Sequence, residues 1–413
     1  MTAIPQEILD EFIGHVDSTD FETLESCALT ARRFYGASQR GLFRRLTLAG
    51  PDGLRVNRLD RRLSFQAAAS KIAEFPHLAA YIRELVLGLP QPPDNPEEDR
   101  TIYGLAAVVA AVAGSGRLRV LRIEGSRNDW QTLGVPVRTI KHIVAQPNLQ
   151  EIGLSGVHQV PFEVVIAALG VPVVHLSVGL IPEWDEPYLG QLPTRHELVD
   201  LVLSDDSSAA DDSLSRISRL IADNPDTYTS KLTDLMVPVD ATGMAERIAA
   251  QSASTLNDLF LLNVKPNHPL AFTPLPHLTT LEICYDCWLF AFPAALPDTL
   301  ASICLPGSLP ALRELKLTFT LDVSDIDIAA DEIDTDWAAL TPDPFPFFAK
   351  PADRADWPLT QLQFISCTLA LDVGEDDDAA EGWTEAYEKF EAAAKGTFVG
   401  AEQARMLLCV LMD

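Results

Sequence analysis

Apolar residues recur along the chain in a six-residue frame, apolar-x-x-apolar-x-apolar. The frame reads IRELVL at 82–87, LRVLRI at 118–123, LQEIGL at 149–154, VPVVHL at 171–176 and LVDLVL at 198–203. It continues as LTDLMV at 232–237, LNDLFL at 256–261, LTTLEI at 278–283, LRELKL at 312–317 and LTQLQF at 359–364, and FRRLTL at 43–48 fits as a first copy. The last four positions alternate, which predicts a short strand with one buried face. Segments with helical spacing lie between the frames. FEVVIAAL sets Phe162, Val165, Ile166 and Leu169 on one face, LSRISRLI does so with Leu214, Ile217 and Ile221, and RTIKHIVAQ with Ile140, Ile143 and Val144. From Ile82 onward the frames start 36, 31, 22, 27, 34, 24, 22, 34 and 47 residues apart. One strand and one helix cannot bury their own apolar faces, whereas stacked copies share a continuous core.

The first fifty residues follow a different pattern and predict three short helices. IPQEILDEFIGHV places Ile8, Leu9, Phe12, Ile13 and Val16 on one stripe, with Pro5 suited to the first helical position. Thr19 and Glu22 have the spacing of a capping box for a second helix carrying Leu24, Cys27, Ala28 and Leu29. ARRFYGASQRGLF supplies a third with Phe34, Leu42 and Phe43. A unit this small buries too little surface to stand comfortably alone, so it leans on the repeats, on a partner, or on both.

A strand frame alternating with helices at this period resembles the leucine-rich repeat, whose strand motif is L-x-x-L-x-L. The resemblance covers roughly residues 43–370. The Asn or Cys that follows the family's strand is mostly absent, Cys367 after LTQLQF being a lone fit, and several spacings exceed the usual 20–29 residues. The expectation is an irregular solenoid with insertions.

Residues 4–48 resemble an F-box, in the divergent form abundant in fungal proteins that precedes leucine-rich repeats. Ile4-Pro5-x-Glu7-Ile8 matches the first part of the family pattern, and Leu24, Cys27, Leu29 and Arg32 match the second. Thr30-Ala31 stands where the family has Val-Cys, and Phe34 where it has Trp. The resemblance implies docking on the Skp-type adaptor of a cullin ubiquitin ligase through Ile4, Pro5, Ile8, Leu9, Phe12, Leu24, Cys27, Leu29 and Phe34, while the repeats hold a protein substrate. The opposing expectation is that the stripe merely caps the end of the repeats.

The fold class expected is therefore α/β: an N-terminal three-helix F-box at 1–48, an irregular leucine-rich-repeat solenoid of short parallel strands alternating with helices at 49–370, and an acidic segment with a C-terminal capping element, ARMLLCVLMD, at 371–413. The other functional class is a stand-alone repeat scaffold that binds a protein partner without any ligase.

Composition narrows the partners. The chain has 413 residues, 47% hydrophobic and 22% charged, and a net charge of −28. That charge disfavours a nucleic-acid backbone. The longest apolar run, 105–114, is far shorter than the roughly 20 residues that span a bilayer, so no membrane is expected. Glu7, Asp10 and Glu11 with no basic region read as no signal peptide, hence a cytoplasmic or nuclear setting in which the six cysteines stay thiols. Residues 1–75 hold ten basic and ten acidic residues, whereas 321–413 hold five basic and 21 acidic, a net of −16. Such acidic runs read as solvated loops.

No G-x-S-x-G, Walker loop, H-E-x-x-H or G-x-G-x-x-G is present, so the expectation is a non-catalytic receptor subunit with no cofactor. Cys284 and Cys287 form one C-x-x-C, with His277 and Cys304 nearby. They lack a second C-x-x-C and a helix N-terminus, so they read as small buried residues under a strand and no metal is expected.

If the fourth and sixth frame positions point inward, the third and fifth point out. The third reads Glu84, Val120, Glu151, Val173, Asp200, Asp234, Asp258, Thr280, Glu314 and Gln361, six of ten acidic. The fifth has three consecutive apolar residues, Val202, Met236 and Phe260, beside Asp200, Asp234 and Asp258. These six are the candidate substrate-binding residues; the alternative is that the acids at the strand starts merely aid solubility and that a loop covers the apolar strip. The six suit a protein segment with a hydrophobic anchor beside Lys or Arg.

Overall fold

The computed structural model describes residues 5–16, 20–49, 64–89, 104–180, 197–204, 213–239, 242–286, 294–322, 359–372, 391–392 and 407–412. The chain divides into two compact units, one of residues 1–198 with 205–214 and one of 199–204 with 215–413. Both are parallel α/β structures.

The first unit begins with α1 (Gln6–Gly14), α2 (Phe21–Thr30) and α3 (Arg32–Leu42). Its strands are β1 (Arg45–Ala49), β2 (Glu84–Gly88), β3 (Val120–Asp129), β4 (Glu151–Val160) and β5 (Val173–Leu180), each paired in parallel with the next. Between them lie α4 (Phe65–Glu74), α5 (Leu105–Ser115), α6 (Val137–Val144) and α7 (Phe162–Ala168), packed in succession. Ile140, Ile143, Val144, Phe162, Val165, Ile166 and Leu169 are buried, as their helical spacing predicts.

The second unit holds β6 (Asp200–Leu203), most of α8 (Ser213–Asp223), α9 (Pro225–Tyr228), β7 (Asp234–Pro238), α10 (Met244–Gln251) and β8 (Asp258–Val264). It continues through β9 (Thr280–Asp286), α11 (Leu296–Ile303), β10 (Glu314–Asp322), β11 (Phe364–Asp372) and β12 (Leu407–Met412). Its strands also pair in parallel in chain order. On α8, Ile217 and Ile221 are buried and Leu214 is half-buried.

The six-residue frame sets the register. In the first unit Leu46, Leu85, Leu121, Ile152 and Val174 align across the strands, as do Leu48, Leu87, Ile123, Leu154 and Leu176. In the second, Leu201, Leu235, Leu259, Leu281, Leu315 and Ile365 align, and so do Val237, Leu261, Ile283, Leu317 and Cys367. The aligned residues of the second unit are each at most 1% exposed. Inward burial at the fourth and sixth positions thus holds throughout.

The tenth frame needs correction. Phe364 pairs with Glu314 and Ile365 with Leu315, so this strand starts three residues later than LTQLQF implies. The working frame is LQFISC, 362–367. Leu359 takes the place that Leu309 holds one strand earlier: the Leu312 N–H donates to the Leu309 carbonyl at 3.2 Å, and the Leu362 N–H to the Leu359 carbonyl at 3.1 Å. Two leucines three residues apart both satisfied the pattern. Phe364 and Ser366 therefore replace Gln361 and Gln363 at the third and fifth positions, and Cys367 is a core residue at the sixth, 1% exposed. Thr47, Val86 and Ser366, all at fifth positions, are buried although alternation puts them on the face opposite the inward leucines.

Two helix starts also differ. The N-cap of α2 is Asp20, whose Oδ1 accepts from the Thr23 N–H at 3.1 Å; Thr19 lies outside the described residues. Pro5 is the N-cap of α1 rather than its first residue. At the C-terminus the capping segment forms β12, hydrogen-bonded to β11. Residues 323–358 and 373–390, which hold 16 of the 21 acidic residues of 321–413, lie outside the described residues. Among the described residues no helix is long and apolar enough to cross a membrane.

Gly104 starts α5 at φ +96°, and a Cβ there would stand 2.7 Å from the Phe65 carbonyl oxygen at the start of α4. Only glycine meets both demands.

Leu259→Ala removes a side chain 1% exposed and should lower unfolding free energy by about 2–5 kcal/mol through lost transfer energy and a cavity. Phe260→Ala, one residue on and half-buried, should cost clearly less. Denaturant unfolding of the two variants measures the difference.

Candidate functional site

Register brings the six candidate substrate-binding residues together. Asp200 pairs with Asp234 and Asp234 with Asp258; Val202 pairs with Met236 and Met236 with Phe260. All six are half-buried. They form two parallel rows, one of carboxylates and one apolar, with neighbouring strands about 4.8 Å apart. The carboxylate row continues to Thr280, Glu314 and Phe364, and the apolar row ends at Glu282 and Lys316.

Three carboxylates at ladder spacing repel one another, and the local chemistry answers that. The Thr233 hydroxyl donates to Asp234 Oδ2 at 2.5 Å and lies 3.2 Å from the Val199 carbonyl oxygen. Burial raises the Asp234 carboxyl above its usual range; the Thr233 hydrogen bond opposes this, and the hydrogen bond and charge of Asp258 add to it. Like charges on neighbouring strands make each other's ionisation less favourable. The arrangement offers carboxylates to a cation and an apolar strip to a hydrophobic side chain.

Burial works against nucleophilic chemistry at Cys284 and Cys304. Burial first, then the charge of Glu282, pushes the Cys284 thiol up to about 11. Burial alone pushes Cys304, 2% exposed, up to about 12. The thiolate is the reactive form, and at neutral pH both stay protonated. Cys287 lies outside the described residues, and His277 is exposed. Among the described residues no group of three or more His, Cys, Asp and Glu is arranged to hold a metal ion.

The N-terminal helices split the adaptor-docking candidates into two sets. Ile13, Leu24 and Ala37 are the buried centre, with Val16, Cys27, Phe34 and Leu42 packed around it. Leu24 is fully buried and holds the helices together instead of meeting a partner. A Cβ at Gly41 would lie 2.9 Å from Leu24 Cδ2, so α3 approaches α2 over this leucine. Ile8, Phe12 and Leu29 are outward, at 53%, 66% and 88% exposed. Leu9 is half-buried, Pro5 exposed, and Ile4 outside the described residues. The expected single stripe on α1 is thus divided: Ile13 goes inward, and Ile8 and Phe12, one helical turn apart, stay in solvent. Tyr35, 53% exposed, is a further outward aromatic, outside the apolar spacing of α3.

No family model matches the chain, and no curated protein matches it.

An acid held above its usual value binds its proton more tightly in the folded chain. The associated stability is full below the ordinary value of 3.8 and is lost as pH rises through the folded value. Asp234→Asn keeps the shape without the charge. Its melting temperature relative to wild type should therefore rise between about pH 3.5 and pH 7.5. A relative melting temperature that stays flat across that range would mean the carboxyl is not perturbed.

Proposed function

We propose that the chain is the substrate receptor of a Skp–cullin–F-box ubiquitin ligase. In this reading residues 1–48 are the F-box that docks the Skp-type adaptor and, through it, a cullin. Residues 49–370 are an irregular leucine-rich-repeat solenoid that holds a protein substrate, and the chain itself catalyses nothing. The setting is the cytoplasm or nucleus.

The observation that carries the reading is the exposure of Ile8, Phe12 and Leu29 on three helices whose own buried centre is only Ile13, Leu24 and Ala37. Burying apolar surface yields about 25 cal/mol per Å², and this unit leaves three large apolar side chains unburied. An adaptor with an apolar face supplies that burial. The order of the motif supports the same reading, since Ile4-Pro5-x-Glu7-Ile8 and Leu24, Cys27, Leu29 precede the repeats. The repeat reading is supported by strands that align at the same frame positions within each unit.

The substrate reading uses the two rows on β6, β7 and β8. A substrate segment would place an apolar anchor on Val202, Met236 and Phe260 and a Lys or Arg on the neighbouring aspartates.

Calorimetry with a purified Skp-type adaptor tests the first half. Micromolar or tighter binding is expected. An exposed aromatic that becomes buried at an interface is worth about 2 kcal/mol or more, so Ile8→Ala with Phe12→Ala should weaken binding at least about 30-fold while the melting temperature barely moves. A wild-type chain that binds no adaptor overturns the ligase reading and leaves the repeat scaffold.

The second half is tested with Asp234→Lys combined with Phe260→Ala, compared with wild type for the proteins each captures. Loss of the wild-type set, with the melting curve intact, is expected. Unchanged capture would move the substrate site off these strands.

A further inference from the structure

A basic pocket sits in the first unit of this acidic chain. It has a volume of about 320 Å³ and is lined by Arg40, Arg44, Arg83, Arg117 and Arg119. The apolar side chains of Ile13, Val16 and Ala37 share its wall.

The frame explains the cluster. Arg44, Arg83 and Arg119 all occupy its second position, immediately before three consecutive strands. The Arg83 N–H donates to the Arg44 carbonyl at 2.8 Å, and the Arg119 N–H to the Arg83 carbonyl at 2.7 Å. The three side chains therefore leave the backbone at the strand repeat, about 4.8 Å apart. Arg83 is fixed further by Nη1, which donates to the Arg117 carbonyl at 3.0 Å.

Counter-charge is scarce. Asp10 pairs with Arg40 at 2.6 Å, and the Gln6 amide also donates to it at 2.7 Å. Among the described residues Arg44, Arg83, Arg117 and Arg119 have no carboxylate within ion-pair distance. Burial first, then the charges of Arg117, Arg119 and Arg44, lower the Arg83 guanidinium from its usual range, yet an arginine stays protonated at any physiological pH. The repulsion is therefore permanent unless an anion enters.

We propose that this pocket binds a small molecule carrying two or more phosphoryl groups. Guanidinium forks match phosphate oxygens in bidentate fashion. Three forks at the strand repeat let linked phosphoryl groups bridge neighbouring strands, whereas one phosphate engages a single fork pair. The volume lies at the low end of small-ligand pockets, which favours a compact anion over a folded partner's helix. The inference does not depend on the receptor reading.

The test is calorimetry on the full chain with inorganic tripolyphosphate at low salt, with Arg83→Gln, Arg119→Gln and Arg313→Gln as variants. Arg313 is the exposed arginine at the same frame position in the second unit and serves as control. Micromolar binding that weakens with added salt is expected, with affinity lost at least tenfold in Arg83→Gln and Arg119→Gln and kept in Arg313→Gln. Melting curves establish that each variant is folded, and Arg119→Gln carries the test if Arg83→Gln is not. No binding at millimolar tripolyphosphate overturns the proposal. So does equal loss in Arg313→Gln, and so does binding of a poly-glutamate peptide where tripolyphosphate fails.

Discussion

Everything in this chain depends on one backbone contact repeated between strands. The carbonyl of the second frame residue accepts the N–H of the second residue of the next frame. It does so from Arg119 to Gln150 at 2.8 Å, from Val199 to Thr233 at 2.8 Å, from Thr233 to Asn257 at 2.7 Å, and from Arg313 to Gln363 at 2.9 Å. The same carbonyl also takes the third residue's N–H, as Arg44 does from Glu84 at 3.0 Å. Pro172 has no N–H to give, and there only the Val173 N–H reaches the Gln150 carbonyl, at 3.0 Å. This contact locks the register before the strand begins. A slip of one residue would turn every inward leucine to solvent and every outward aspartate to the core. Leucine burial and hydrogen-bond register thus enforce each other, and neither is available to a strand on its own.

The three N-terminal helices obey the same arithmetic with fewer terms. Their centre is Leu24, closed over by the bare backbone of Gly41, with Ile13 and Ala37 beside it. Three short helices cannot turn all their apolar residues inward, because a unit this small has too little interior. Ile8, Phe12 and Leu29 are what remains outside. The ion pair of Asp10 with Arg40 spans α1 and α3 from the polar side, and both residues are partly exposed, so it contributes little to stability. Packing around Leu24 holds the helices; charge does not.

The parallel α/β class was legible because alternation and helical spacing report burial directly. Nine of the ten frames from Ile82 on stand in the register that their leucines imply. The tenth fails because Leu359 repeats the spacing of Leu362, and a pattern of apolar positions cannot tell a turn leucine from the first strand leucine; only pairing with Glu314 decides it. The two rows of the candidate substrate site were legible for the same reason, since register alone brings Asp200, Asp234 and Asp258 together. Other features were not. A stripe of five apolar residues does not say which of them face inward, so the division between Ile13 and Phe12 is a fact of packing. The arginine ladder was hidden because it sits at the second frame position, ahead of the alternating part. Reading that column down the strands, Arg44, Arg83, Arg119, would have exposed it.

The frame also explains why one third-position acid has a counter-ion from the adjacent strand and others do not. Glu151, at a third position, is met by Arg122 from the fifth position of the adjacent strand, with Nε and Nη2 both 2.6 Å from Oε1. Asp234 and Asp258 occupy the same kind of place, but the fifth positions beside them are Val202, Met236 and Phe260. No strand neighbour can send a cation across. What remains is a hydroxyl from Thr233 on Asp234 and one from Thr279, 3.5 Å from Asp258 Oδ1. A neutral donor offsets a carboxylate's charge less than a counter-ion does. A cationic side chain arriving from outside would do for Asp234 and Asp258 what Arg122 does for Glu151, and the apolar row would bury the stem that carried it. The first unit thus meets Glu151 with its own arginine, whereas the fifth positions beside Asp234 and Asp258 carry no cation.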